Sequence, residues 1–273
     1  MKSIDKDVLA SYNAGKEWGR LHKGIGLVEF ERTKEVLAEQ LPPPPAVIYD
    51  IGGGYGEYAC HLAARGYEVY LYDLAEKNIE MSYPFAQSQK VCLAGVQVAD
   101  ARSIPRPDES ADAILLFGPL YHITETEERA LCLKECLRLL KPGGLLFVAA
   151  ITKYATTLKY LSRYDYDSAL DDDEFYHMLE TTVKTGIHTK KPMGTAYFHE
   201  PTELKEEIKN AGFYEVELRG IMGPTTVVRN LDEIWFDPVK REAILRIVRL
   251  LEKEESIMGF SNHFLAMARK RRK

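Results

Sequence analysis

The stretch VIYDIGGGYGEYACHLAARG, residues 47–66, places four glycines within five positions between an apolar run and a helix-period segment. A tight turn needs one or two glycines, so a loop of Gly52, Gly53, Gly54 and Gly56 implies that something approaches the backbone closely. A strand ending at Asp50, then this loop, then a helix start puts backbone N–H groups at the positive end of a helix, which is an anion or nucleotide site. The dinucleotide pattern GxGxxG, counted from Gly52, would need glycine at 57, where Glu57 stands. Counted from Gly54 it ends on Ala59, a permitted third member, so spacing alone leaves NAD open.

Strand and helix patterns alternate from there. VIYDI precedes GEYACHLAARG, EVYLYD precedes LAEKNIEMSYPFAQ, VQVAD follows, and ADAILLF precedes EERALCLKECLRLLKPGG and the run LLFVAAI. Short β-branched or aromatic runs alternating with helical segments predict an α/β chain, a parallel sheet covered by helices. RLLKPGG and AARG read as helix stops. The prolines of LPPPPA, residues 41–46, cannot lie inside a helix and divide an N-terminal helical piece from the first strand. Residues 153–200 break the alternation and read as an aromatic-rich, partly helical insertion. Beyond it come the helix TELKEEIKNAG, with Thr202 as an N-cap lacking a full capping box, the strand YEVELRGIMG, the helix DPVKREAILRIVRLLEKEES and a last strand HFLAMARK.

At 273 residues the expectation is one domain with additions, and a formal charge of −5 disfavours nucleic acid as a partner. The first residues, MKSIDKDVLA, lack the apolar core of a leader, and runs such as LLFVAAI are too short to span a bilayer; the expected location is cytoplasmic, with no membrane partner. Cys60, Cys92, Cys132 and Cys136 fall in apolar segments without zinc spacing and are expected as buried reduced thiols, so no metal is expected. The tail ARKRRK reads as a solvated charged end.

The acid-x-Gly-x-Gly-x-Gly order of Asp50, Gly52, Gly54 and Gly56 resembles the first motif of class I S-adenosylmethionine-dependent methyltransferases. Asp73 closes the second strand, where a carboxylate can accept both vicinal ribose hydroxyls, although NAD would use the same acid. Asp100 after VQVA matches the family position near the adenine amino group. ADAILLFGPLYHI and LKECLRLLKPGGLLFVAA resemble the fourth strand and the following helix, turn and fifth strand, and the overall pattern is most similar to the small-molecule, ubiquinone-biosynthesis-like branch. The resemblance covers residues 47–151 most specifically. It implies S-adenosylmethionine as cofactor, and a Rossmann-like, seven-stranded, mostly parallel sheet of order 3-2-1-4-5-7-6 with the last strand antiparallel. Helices flank this sheet and a helical cap covers it. It further implies cofactor contacts from the glycine loop, Asp50, Asp73 with Leu74, Asp100 with Ala101, and Phe117. Residues 1–45 would form the N-terminal cap, 46–152 the cofactor core, 153–200 a lid and 201–273 the rest of the sheet.

In-line methyl transfer needs alignment of two reactants and a base only for a nucleophile that holds its proton. His122, in GPLYH just beyond the fourth strand, is the first candidate for base or substrate contact, with Tyr121 beside it; packing or capping is the alternative for each. His199 is the second candidate and His188 a weaker one, with solvent exposure as the alternative. Similar enzymes fold an N-terminal helix over the site, which makes Tyr12, Trp18 and Arg20 candidates to close it, Arg20 against the methionine carboxylate; helix packing and a surface arginine are the alternatives. Glu29 and Arg32 are expected as an exposed i,i+3 pair. Tyr160, Tyr164, Tyr166, Phe175, Tyr176, Tyr197 and Phe198 either wall an apolar substrate or form the lid's own core, and Asp171, Asp172, Asp173 and Glu174 are expected to start a helix.

The expected function is methyl transfer to a small molecule by a monomer or homodimer. Methylation of RNA or protein is disfavoured by the acidic balance and by FGPLYH standing where base-amine methyltransferases carry Asn/Asp-Pro-Pro-aromatic. An arsenic-type enzyme would need solvent-facing cysteines. A cofactor-binding regulator without turnover is the reading from outside enzymology.

Overall fold

The computed structural model describes residues 6–15, 18–163, 173–189 and 194–272. Its main sheet contains β1 (Val47–Ile51), β2 (Glu68–Asp73), β3 (Gly95–Val98), β4 (Ala111–Leu116), β5 (Leu140–Ile151), β8 (Tyr214–Arg219) and β9 (His263–Arg269), in the order β3-β2-β1-β4-β5-β9-β8. Counted along the chain within this sheet, that is the expected 3-2-1-4-5-7-6. β9 runs antiparallel to both β5 and β8, and the ladders from β3 to β5 are parallel. β6 (Ile187–His188) and β7 (Ala196–Tyr197) form a separate antiparallel pair within the insertion.

Side-chain alternation along the strands divides the core into two layers. Ile114 and Leu116 of β4, Leu146, Val148 and Ala150 of β5 and Phe264 and Ala266 of β9 face α6 (Thr126–Leu139) and α9 (Pro201–Asn210), through Cys132, Leu133, Cys136, Leu204 and Ile208. Ala113, Leu115, Leu145, Phe147, Leu265 and Met267 face α2 (Ile25–Gln40) and α3 (Glu57–Ala63), through Val36, Leu37, Ala59 and Leu62. A strand buried on both faces must be apolar at consecutive positions, which is why LLFVAAI shows no period of two. α11 (Pro238–Leu251), capped by the Asp237 side chain, packs Leu245 and Val248 against Val28 of α2 together with Leu231 of the short α10 (Leu231–Ile234) and Trp235.

Several expectations change. LKPGG is not a turn between helix and strand: Leu140 already pairs with Ala111 and Leu145 with Ala113, so residues 141–144 form a bulge inside β5. Gly143, at φ +81°, takes the bend, and its N–H donates to Lys270 O at 2.9 Å, which joins the bulge to the end of β9. The N-cap of α9 is Glu200, not Thr202; Pro201 occupies the first helical position, and Glu200 with Glu203 completes a reciprocal capping box. Cys92 is exposed, in the loop before β3, whereas Cys60, Cys132 and Cys136 are buried. No group of three or more potential metal ligands occurs among the described residues.

Glu29 and Arg32 are not an exposed pair: both are buried, and they bind different partners. Arg32 donates from Nε and Nη2 to the two oxygens of Glu252 at 2.7 and 3.0 Å, and from Nη1 to Glu35 and Glu39. Arg219 joins the same network through Glu39 at 2.6 Å. The network ties α2 to the end of α11 and to β8, and α2 turns Arg32 inward because Val28 and Val36, one turn away on either side, are themselves buried. Glu252→Gln should cost about 2 kcal/mol, below the usual value for a broken buried pair because Arg32 keeps Glu35 and Glu39. A melting point lower by about 5 °C would show this.

In the insertion, Phe175 and Met178 of α8 (Asp173–Thr185) pack with Tyr160 of α7 (Ala155–Arg163), while Tyr176 is exposed. Phe198 stacks on His188, with ring centroids 4.6 Å apart, and shares a small cluster with Tyr121 and Ile151. Asp173 and Glu174 lie in the first turn of α8; Tyr164, Tyr166, Asp171 and Asp172 lie outside the described residues. No helix among the described residues is long and apolar enough to cross a membrane.

Candidate functional site

The carboxyl ends of β1, β2 and β4 open onto one cleft, the location that open α/β sheets offer to ligands. Gly52, Gly53 and Gly54 line it, as do Asp73, Leu74, Asp100, Ala101, Phe117, Tyr121 and His122, and Tyr12, Trp18 and Arg20 close it from the N-terminal side. Asp50, Gly56 and His199 do not line it.

The loop's shape follows from local sterics. A Cβ on Gly52 would stand 2.4 Å from Pro119 Cδ, and one on Gly53 2.4 Å from the Asp50 carboxyl carbon, whereas a Cβ on Gly54 would meet nothing within 4 Å. Gly52 and Gly54 have φ of +73° and +61°, so the backbone is left-handed at both, and at Gly52 it is crowded as well. Gly54 N–H donates to Asp73 Oδ2 at 2.8 Å, and Ala75 N–H and Asn78 Nδ2 donate to Oδ1 at 2.9 and 3.1 Å. The carboxylate is thereby aimed along the cleft floor. Burial raises its pKa, and the three N–H donors act against that rise.

Asp50 lies beneath the loop. It is fully buried, and burial, with Asp73 as a second cause, pushes it up to about 7 against the opposing pull of the Ala59 backbone N–H. A carboxyl raised in the folded state from an unfolded value near 4 destabilises as pH rises. Below about pH 4 both states hold the proton; between about 4 and 7 only the unfolded state loses it; above 7 the loss is constant. Asp50→Asn should therefore raise stability by on the order of 2 kcal/mol at pH 8, a value kept below the full linkage term by structural relaxation, and by nothing at pH 3.5. Thermal melts at the two pH values check this.

At the far end, Asp100 is bound by Arg102, which donates from Nε and Nη2 to its two oxygens at 2.9 and 2.6 Å and also reaches Glu128. Burial would raise the Asp100 pKa, but the Arg102 hydrogen bonds outweigh it and hold the group below its ordinary value. The carboxylate thus pairs with Arg102 while it still lines the cleft.

The N-terminal segment is fastened over the cleft by contacts that the sequence did not reveal. Trp18 Nε1 donates to Asn78 Oδ1 at 3.2 Å, and Gly19 N–H donates to Tyr55 Oη at 3.1 Å. Tyr12, in α1 (Lys6–Asn13), places its hydroxyl 2.7 Å from His122 Nε2. Arg20 is held by Glu29 through two bonds of 2.5 and 2.8 Å. Asn78, Tyr55 and Tyr58 are site residues that the sequence reading missed. Asn78 had a usable signal, since it lies one helical turn into the segment after Asp73.

His122 sits on the one-turn helix α5 (Pro119–His122), half-buried, with Nδ1 unpartnered, and burial pushes its pKa down to about 4. It is therefore neutral at physiological pH, the state that accepts or donates a single hydrogen bond. Tyr121 donates its hydroxyl to Phe117 O at 2.9 Å. His199 lies elsewhere, fully buried against Tyr197 with Nε2 3.4 Å from Glu207. His188 is buried beneath Phe198 rather than solvated.

A family model described as a methyltransferase domain matches residues 49–148. The ubiquinone biosynthesis O-methyltransferase of Rickettsia akari is 27% identical over 230 residues, covering 75% of this chain and 87% of that protein. The ubiquinone/menaquinone biosynthesis C-methyltransferase UbiE of Caulobacter is 25% identical, covering 80% and 92%. Among solved structures, a SAM-dependent methyltransferase of Methanosarcina mazei superposes with a TM-score of 0.57 at 20% identity, over 87% of this chain and 98% of that one. A Haloferax volcanii complex of the Trm112 methyltransferase activator with a putative methyltransferase gives 0.59 at 16%, over 98% and 100%. At such identities these two structures show the fold.

Proposed function

Because the chain is a class I S-adenosylmethionine-dependent methyltransferase, we propose that it methylates a small molecule held between the glycine loop and the Tyr121–His122 turn. The observation that carries this reading is the Asp73 cluster: a buried carboxylate oriented by Gly54, Ala75 and Asn78 on the floor of a cleft that apolar and aromatic side chains line together with Arg20, Glu57, Asp100 and His122. The residues fit the cofactor. The open space above Gly54 accommodates a ligand that no side chain could share, Asp73 would take the ribose hydroxyls, Leu74 and Phe117 would flank the adenine near Ala101, and the loop N–H groups with Trp18 and Arg20 would meet the amino-acid end. When bound, the cofactor supplies a methyl group on a positive sulfur.

The protein's own part is alignment and exclusion of water, which together supply roughly 7–11 kcal/mol in well-oriented reactions. The N-terminal segment closes the cleft through Tyr12, Trp18 and Gly19. His122, neutral at physiological pH, is placed to hold the acceptor's proton-bearing atom. The names of the ubiquinone-pathway relatives and the net charge of −5 support a small-molecule acceptor over RNA. The test is methyl transfer from tritiated S-adenosylmethionine to a panel of phenols, quinone precursors, amines and thiols, beside bulk tRNA and protein. Label in a small molecule with release of S-adenosylhomocysteine is expected. Label confined to tRNA or protein, or binding without release, contradicts the proposal.

A further inference from the structure

The acceptor end of the cleft already contains a ligand-like group from the chain itself. Tyr12 is 110 positions away from His122 in sequence, yet its hydroxyl meets Nε2 at 2.7 Å, with the two rings edge-on at 90° and centroids 5.2 Å apart. Tyr121 stacks edge-on against His122 with centroids 4.7 Å apart, and Tyr58, Phe117 and Ile123 line the same cleft. Of the charged side chains at the cleft, Arg20 binds Glu29 at 2.5 Å, Asp100 binds Arg102 at 2.6 Å and Asp73 accepts from three N–H donors, so an ionised acceptor would have to compete for each. An uncharged ring carrying one hydroxyl needs none of them, because it buries its faces against the aromatic walls and presents its O–H to a neutral imidazole.

We propose that Tyr12 is an internal stand-in for the acceptor: the pocket around His122 is a subsite for an uncharged aromatic hydroxyl, and an acceptor enters by taking the place of the Tyr12 phenol on His122. The proposal rests on the methyl-transfer reading and adds to it a substrate class and a specificity residue. It makes α1 part of acceptor recognition as well as of cofactor closure. A hydroxylated ring replaces the Tyr12 contact with an equivalent one, whereas an unhydroxylated or methylated ring breaks the contact and leaves the imidazole nitrogen without a partner. The O–CH3 bond forms as the S–CH3 bond of the methyl donor breaks and S-adenosylhomocysteine leaves, the hydroxyl proton passing to His122 Nε2 and then to solvent; the methylated product can no longer donate, and Tyr12 regains His122, which favours release.

The probe is p-cresol, which is the tyrosine side chain as a free molecule, compared with 4-methylanisole and 4-methylbenzoate by calorimetry in the presence of saturating S-adenosylhomocysteine. In the wild type p-cresol should bind best and should shift the His122 ring-nitrogen resonance. Tyr12→Phe, which removes only the competing hydroxyl, should bind p-cresol about 3- to 10-fold tighter. His122→Ala should lose the preference for p-cresol over 4-methylanisole. Unchanged p-cresol affinity in Tyr12→Phe, preferred binding of 4-methylbenzoate, or absence of any p-cresol binding overturns the subsite. S-adenosylhomocysteine affinity, measured first in each variant, separates the outcomes: its retention confines a failure to the subsite, and its loss in the wild type removes the methyl-transfer reading itself.

Discussion

Asp73→Ala should weaken S-adenosylhomocysteine binding by about 100- to 1,000-fold while leaving a folded chain. The carboxylate is the one acidic group on the cleft floor fixed by three N–H donors from three separate residues, Gly54, Ala75 and Asn78. Truncation removes its charge-assisted bonds to a ligand's hydroxyls, each worth about 1.5–3 kcal/mol, and also leaves Gly54 N–H without its partner, so the loop loses its shape at the same time. Melting should change little in comparison, because burial raises the Asp73 pKa and makes the ionised group costly in the unliganded protein. Titration calorimetry with S-adenosylhomocysteine, read beside a thermal melt, measures both effects. Asp73→Asn should fall between wild type and alanine, since an amide oxygen still accepts one of the N–H bonds.

The glycines should separate folding from binding. Gly52→Ala places its Cβ 2.4 Å from Pro119 Cδ at φ +73°, so it combines a left-handed alanine with overpacking against the α5 turn. It should destabilise by about 3–4 kcal/mol. Gly54→Val has open space around its Cβ, and at φ +61° its stability cost is the backbone strain of about 1–2 kcal/mol. Its side chain would instead occupy the region beside Asp73 where the cofactor must lie. Gly54→Val should therefore bind S-adenosylhomocysteine at least 100-fold more weakly with only a modest fall in melting temperature, while Gly52→Ala shows the larger fall in melting temperature. The reverse ranking would mean that the open space above Gly54 is not the ligand's place.

The sheet was legible because its determinants are local and repeated: apolar runs of strand length, glycine or proline at their ends, and helices of the right period between them. The glycine loop was legible for the same reason. What escaped the sequence depends on partners distant along the chain. Arg32 looked exposed because Glu29 lies three residues away, yet its strongest partner is Glu252, 220 positions further on. Asp100 was legible as a cleft residue, but its pairing with Arg102 was not. LKPGG has the composition of a helix stop, and only the ladder between β4 and β5 shows the strand continuing through it as a bulge. His199 read as a loop histidine, but it bridges to Thr152 at the end of β5 and is buried. His122 was legible as a candidate from its place after β4, while its contact with Tyr12 required the N-terminal helix to lie across the cleft.

Spacing alone leaves NAD open at the glycine loop. Trp18, Arg20 and Tyr12 line the cleft from the N-terminal side, so a second nucleoside would have to displace them. The direct test is calorimetric titration of the wild-type protein with S-adenosylhomocysteine and, separately, with NAD. The account predicts one S-adenosylhomocysteine per chain with affinity in the micromolar range or tighter, and no measurable heat from NAD. Tighter binding of NAD, or S-adenosylhomocysteine binding that survives Asp73→Ala unchanged, would contradict it.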